Sequence, residues 1–326
     1  MKSSVIAVVA AGLLPFAAAC GQADQSSEAA EAEQEQAVKK KDRIDAEEFG
    51  AAFLDGQYTE LYGQTSDQFQ QQVSYNEFEQ LAEQFNQNVA GYELQASSPV
   101  AKHQERYIWT DEKGEKGIQV VFDNQSVIQG LFLAPLQSYP ETDEVYTANT
   151  YTMPINEEWR VFWGGTNQLL NYHYPTESQR YAYDLVMTKN GSTYHGNSEK
   201  NKHYYAFGKD VTAPADGVVV KAVDGIKDNV PGEMNSGSPL GNYIVMEHKN
   251  GEYSLLAHFK KGSIAVKAGD NVAEGEVLGL TGNSGNSSEP HIHFQVMDDP
   301  DFFEATSIRI QFENGEEPIQ GDYVSP

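Results

Sequence analysis

From residue 159 onward the chain reads as short, Val- and aromatic-rich runs closed at both ends by Gly, Asn or Pro, a pattern that restricts this half to antiparallel β-structure. "GVVVKAV", "NYIVMEH", "YSLLAHF" and "HIHFQVM" each have the length of one strand, and Lys249-Asn250-Gly251 supplies the Asn-Gly pair that favours a tight hairpin. No helical period of useful length competes with these runs, and no repeat at solenoid spacing is present. The expectation for residues 159–326 is a mainly antiparallel β domain.

A chain of 326 residues holds about two domains of this size. Residues 42–136 carry a different pattern and are expected to form a small α+β domain. "DAEEFGAAFLDG" offers Asp45 as an N-cap, acidic residues in the first turn, Phe49 and Phe53 four apart, and Gly56 as a stop. Ser74 to Glu77 form a capping-box pattern, after which Phe78, Leu81 and Phe85 line one helical face. After Gly91 the period changes to two in "YELQAS", "RYIWT", "IQVVF" and "VIQGLFL", which predicts an antiparallel meander. Nothing near His103 has ligand spacing, so it reads as a surface residue. The Pro-containing stretch 137–158 reads as a connection.

The N-terminus has its own logic. Lys2, the apolar run Val5 to Phe16 and Ala17-Ala18-Ala19 read as an export signal over residues 1–20, too short in its apolar core for a good spanning helix. The single cysteine, Cys20, follows at once, an arrangement that resembles a bacterial lipoprotein signal. Ordinary secretory cleavage would also suit the three alanines, but an exported chain with one cysteine has no disulfide partner for it. Acylation of Cys20 would hold the mature protein to the outer face of the cell membrane, beside the cell wall. Residues 21–41 are rich in Gln, Glu, Ala and Ser, cannot drive collapse, and read as a tether. The formal charge of −26 argues against a nucleic-acid partner and is otherwise a solvated acidic exterior.

Two of the eight histidines, His291 and His293, stand one residue apart in "EPHIHFQVMDD". In a strand, side chains two apart project to the same face, so both imidazoles point at one site. The loop "GNSGNSSEP" before them turns sharply and exposes backbone. Spacing alone leaves a metal site, an acid/base site, or a pair of satisfied histidines open.

"LLAHF", "AGDNVAEGEVLGLTGNSG" and "PHIHFQV" are similar to the lysostaphin-like zinc endopeptidases, the peptidoglycan-cutting family that includes LytM. That family's signature runs from a first histidine and an aspartate, through an Ala-Pro-x-x-Gly turn and a lone histidine at a strand end, to a His-x-His. The same order holds here in His173, Asp184, "APADGVV" from Ala213 to Val219, His258, His291 and His293, over about Trp159 to Met297. The resemblance implies a lysostaphin-type β catalytic domain that cuts peptidoglycan with Zn2+. It implies His173, Asp184 and His293 as the zinc ligands and His258 and His291 as catalytic histidines. Two imidazoles and one carboxylate leave a fourth position open, the pattern of a catalytic zinc, which brings the pKa of a bound water to about 7. The two histidines beside it would take the water's proton or steady the oxyanion.

One departure is plain: His173 and Asp184 lie eleven positions apart, much farther than the family usually has them. His203 with Asp210, and His195 nearby, are rival ligands, but Asp210 falls at the strand entry before the Ala-Pro turn and the two histidines sit in a polar surface insertion. His248 reads as a hairpin-end surface residue. The alternative to an enzyme is a non-catalytic protein of this fold that binds cell wall or activates another wall hydrolase; zinc capture is a third.

Overall fold

The computed structural model describes residues 43–326 apart from Lys102; the export signal with Cys20 and the tether lie outside the described residues. Within it the chain divides between Leu136 and Gln137 into two compact units.

The first unit is α+β. Helices Phe49–Leu54, Tyr58–Gly63, Asp67–Gln72 and Tyr75–Phe85 precede four strands, β1 (Tyr92–Ala101), β2 (Gln104–Asp111), β3 (Lys116–Asp123) and β4 (Ile128–Pro135), paired in chain order as an antiparallel meander. The helix from Tyr75 starts where the sequence dictates: Ser74 Oγ accepts from the Glu77 amide while the Glu77 carboxylate accepts from the Ser74 amide. Its apolar face, with Phe49, Phe53, Leu61 and Phe69 from the other helices, packs on Trp109, Ile118, Val120 and Leu131. Gly50 permits this approach, since a Cβ there would meet Trp109 at 2.9 Å. His103 is exposed at the β1–β2 turn.

The second unit is mainly antiparallel β. Its strands are β5 (Tyr146–Tyr151), β6 (Trp159–Trp163), β7 (Tyr183–Val186), β8 (Asp210–Thr212), β9 (Gly217–Val223), β10 (Asn242–Glu247), β11 (Tyr253–Phe259), β12 (Asn271–Val272), β13 (Val277–Leu280), β14 (Ile292–Met297), β15 (Ser307–Phe312) and β16 (Tyr323–Val324). The main sheet runs β12-β9-β10-β11-β14-β7-β6-β16, with β15 on β14 and β5 parallel to β15. Ile244, Met246, Leu256, Ile292, Phe294 and Val296 fill the core on one face. The opposite face near the middle of the sheet carries the polar row described below.

Residues 137–158 are more than a connection, because β5 belongs to this unit. Buried Glu252 draws it in: its carboxylate accepts from the amides of Ala148 and Asn149 and from the Tyr151 hydroxyl. A buried carboxylate is tolerated only when donors surround it, and this strand supplies them. His248 is likewise not a surface residue. It is buried, with Nδ1 donating to Asp216 O at 2.9 Å, Nε2 2.8 Å from Ser254 Oγ, and its ring edge-on to Tyr151.

Candidate metal centre

The centre is built on sheet register. His293 of β14 is directly opposite Asp184 of β7, so the two side chains lie on one face. His293 Nδ1 is 2.9 Å from Asp184 Oδ1, and His173 Nε2 is 3.1 Å from Asp184 Oδ2. Ligand atoms of His173, Asp184 and His293 all lie within 4.8 Å of one another, and among the described residues no other set of three or more His, Cys, Asp or Glu does so. His291, two residues before His293, has Nε2 3.7 Å from Asp184 Oδ1.

His258 reaches the site by a route that strand periodicity forbids. Ala257 is the residue opposite His293, so in a regular strand His258 would face the core. Pairing skips it, however: Tyr243 is opposite Ala257 and Asn242 opposite Phe259, which leaves His258 as a bulge residue with φ of +71°. This left-handed turn swings its ring to 4.7 Å from that of His291 and 6.0 Å from that of His293. The five residues are all buried, 2–8% exposed.

Hydrogen bonds settle the tautomers. Gln295 Nε2 donates to Ser178 O at 2.7 Å, which turns Gln295 Oε1 toward His293 Nε2 at 3.0 Å. That oxygen can only accept, so His293 carries its proton on Nε2 and its Nδ1 lone pair faces the Asp184 carboxylate. His291 Nδ1 donates to Glu289 O at 2.8 Å and His258 Nδ1 to Ser284 O at 2.8 Å, which leaves both Nε2 atoms unprotonated in the neutral rings. The loop that offers these carbonyls is tightly seated: Gly241 and Gly285 pack backbone on backbone, and a Cβ on Gly241 would lie 2.4 Å from the Ser284 carbonyl.

The electrostatics follow from burial. Burial pushes the Asp184 carboxyl up, but the imidazoles of His173, His291 and His293 outweigh it and hold the group well below the usual carboxylate range. Burial, reinforced by His291 and His293, keeps His258 neutral, its pKa far below that of an ordinary histidine. Burial lowers His173 in the same way against the pull of Asp184.

The donor set fits a zinc ion. A neutral nitrogen lone pair and a carboxylate oxygen at 2.9 Å repel unless a cation or proton lies between them. Two imidazole nitrogens and one carboxylate are a catalytic-zinc set, and here Asp184 turns Oδ1 to His293 Nδ1 and Oδ2 to His173 Nε2, with one ligand atom from each residue within 4.8 Å of the other two. The Gln295–His293 bond is the outer-shell partner that such ligands use. The rivals fall elsewhere: Asp210 accepts from Asn156 Nδ2, and the His195 and His203 rings lie 5.4 Å apart at a tilt, with His203 Nδ1 bound to Asn197.

Residues missed by sequence reasoning are Gln295 and Asn171. "HFQV" did signal the first, since Gln295 shares the face of His291 and His293. Asn171 is wholly buried, takes the His173 amide on Oδ1 at 3.1 Å, and donates to Ala182 O at 3.0 Å. It closes the mouth of the loop between His173 and Asp184.

Part of the second unit matches a known family. Residues 202–304 match Peptidase family M23. The match begins after His173 and Asp184, so only the geometry ties these two to it. Over 57 residues, 18% of this chain and 13% of the relative, the chain is 39% identical to the peptidoglycan DD-endopeptidase ShyA of Vibrio cholerae. Over 89 residues, 27% of this chain and 17% of the relative, it is 35% identical to the DD-carboxypeptidase/endopeptidase Mpg of Neisseria meningitidis. The catalytic domain of lysostaphin from Staphylococcus simulans is similar at 26% identity over 39% of this chain and 74% of that one, with a TM-score of 0.26.

Proposed function

On the premise that residues 202–304 carry a peptidase family M23 domain, we propose that the chain is a zinc-dependent endopeptidase hydrolysing peptide bonds of bacterial peptidoglycan. The observation that carries this reading is the convergence of His173 Nε2, the Asp184 carboxylate and His293 Nδ1 beside two further imidazoles whose Nδ1 atoms are each held by a carbonyl, leaving Nε2 free of a proton in the neutral ring.

In this reading those three residues hold the ion. When bound, zinc supplies Lewis-acid polarisation of the scissile carbonyl and a water acidic enough to attack near neutral pH. Asp184 keeps its charge and so balances the cation. His291 and His258, each fixed by a carbonyl on Nδ1, use Nε2 to accept the attacking water's proton and, once protonated, to donate to the oxyanion or leaving amine. The Ser284 and Glu289 carbonyls stabilise the protonated rings. A non-catalytic wall-binding role has no use for these two oriented bases.

Digestion of purified cell wall with and without a chelator tests the activity. New amino groups are expected only without chelator; none from any wall chemotype would refute it. Zinc content tests the ligands: Asp184→Ala should lose the metal and Asp210→Ala keep it, and the reverse would overturn the assignment.

The place of action is also a proposal. Export by residues 1–20 and acylation of Cys20 would put the chain on the outer face of the membrane, with residues 21–41 as the tether that reaches wall material. Radioactive fatty acid should label the protein and not Cys20→Ala; equal label in both would sink the anchor.

A further inference from the structure

The excursion between His173 and Asp184 is clamped from outside. The chain leaves His173, makes a 3-10 turn at Glu177–Gln179 and returns at β7. Tyr174, Arg180 and Tyr181 all turn to one short helix, Pro140–Asp143. The Tyr174 hydroxyl is 2.9 and 2.8 Å from the two Asp143 carboxylate oxygens, and the Tyr181 hydroxyl is 2.8 Å from Asp143 Oδ1 and 2.8 Å from Thr142 Oγ1. Arg180 lies over the Tyr139 ring at 3.5 Å, donates through Nη1 to Thr142 Oγ1 at 2.9 Å, and through Nε to Tyr174 O at 3.2 Å.

Asp143 is itself fixed. Its Oδ2 accepts from the Tyr139 amide at 2.9 Å, and its carbonyl accepts from Arg309 Nη1 at 2.7 Å. Arg309 belongs to β15, which pairs with the His293 strand β14. One carboxylate therefore takes hydroxyls from the residue after His173 and from the residue three before Asp184, while its own backbone is tied to the neighbour of the third ligand's strand.

We propose that Asp143 is a positioning residue for the metal centre: by gathering the Tyr174 and Tyr181 hydroxyls it sets the width of the long loop and holds His173 against Asp184. This rests on the metal-centre reading above. Holding two ligands across an interval this long requires closing a loop whose ends would otherwise drift. Asn171 closes its mouth and Asp143 braces its far side. A carboxylate can only accept, so both hydroxyls donate to Asp143 and share it as their acceptor.

The test uses the full chain, with zinc dissociation constants from competition against a chromophoric chelator and the melting temperature of the metal-free protein. Asp143→Ala and the Tyr174→Phe/Tyr181→Phe pair, which keeps both rings, should each weaken zinc about 10–100-fold, as loss of outer-shell order does. The triple variant should be no weaker than either, because all act through one contact. Asp143→Asn, which keeps an acceptor oxygen, should recover most of the affinity. A lower metal-free melting temperature with a zinc constant within about twofold of wild type would assign Asp143 to stability alone and overturn the proposal. Should Asp143→Ala not fold, the phenylalanine pair decides by the same constant. A wild-type chain that binds no zinc would instead refute the metal centre, and the clamp's purpose with it.

Discussion

His293 Nδ1 lies 2.9 Å from Asp184 Oδ1 across directly opposed positions of adjacent strands, and it does so with its own proton held on the far side of the ring by Gln295. The lone pair is presented by a contact outside the ligand set. Gln295→Leu should therefore weaken zinc about 10–100-fold while the protein stays folded. Chelator competition measures this; unchanged affinity would mean that the tautomer is set elsewhere.

His258 sits at φ of +71°, a conformation that costs a side-chain-bearing residue about 1–2 kcal/mol. Both His258→Ala and His258→Gly are expected to abolish wall digestion. The glycine variant should be more stable than the alanine variant by about 1 kcal/mol in urea denaturation. A more stable alanine variant would show that the bulge carries no strain.

His248 provides a pH dependence separate from the metal centre. Burial holds its pKa below the ordinary value of 6.5, against the opposing pull of Asp216 O and Glu252. The unfolded chain then takes up the proton first as pH falls. Stability is thus full above about pH 6.5 and declines through that value toward the folded-state pKa, with a slope of at most about 1.4 kcal/mol per pH unit. Melting of the metal-free protein between pH 8 and pH 5 should show the decline, and His248→Gln should make it shallower, leaving the share that the depressed His173 and His258 contribute with the same sign.

Tyr172 is half exposed, with its ring 4.0 Å from that of His173 and 5.4 Å from that of Trp163. Trp163 is in turn opposite Asp184 in the sheet. An aromatic face at the rim of the centre is placed to meet substrate. Tyr172→Ala should keep its zinc and raise KM for soluble muropeptides about threefold to tenfold; weaker zinc binding with an unchanged KM for the zinc-loaded variant would make the ring a cover for His173 alone.

Local pattern was enough for what is local. The period-two runs, the Ser74–Glu77 capping box and the Asn-Gly turn mark their elements because each depends on residues a few positions apart. The order of His173, Asp184, His258, His291 and His293 likewise named the residues that converge. The stretch 137–158 and His248 escaped because their partners are remote: Glu252 accepts donors about a hundred residues earlier in the chain, and His248 is buried by Tyr151. By sequence alone His258 belonged to a strand end; only the skipped pairing beside Ala257 turned it from the core face to the site. The long interval from His173 to Asp184 was visible as an anomaly, but its closure depends on Asn171 and on side chains from residues 139–143, contacts that no periodicity encodes. The residue types and their order determined which chemistry is available, since imidazole nitrogens and carboxylate oxygens are the zinc-type donors that this stretch of the chain offers. The tertiary structure decided which lone pairs face it, because tautomer and ring direction are fixed by hydrogen bonds between segments distant in the chain.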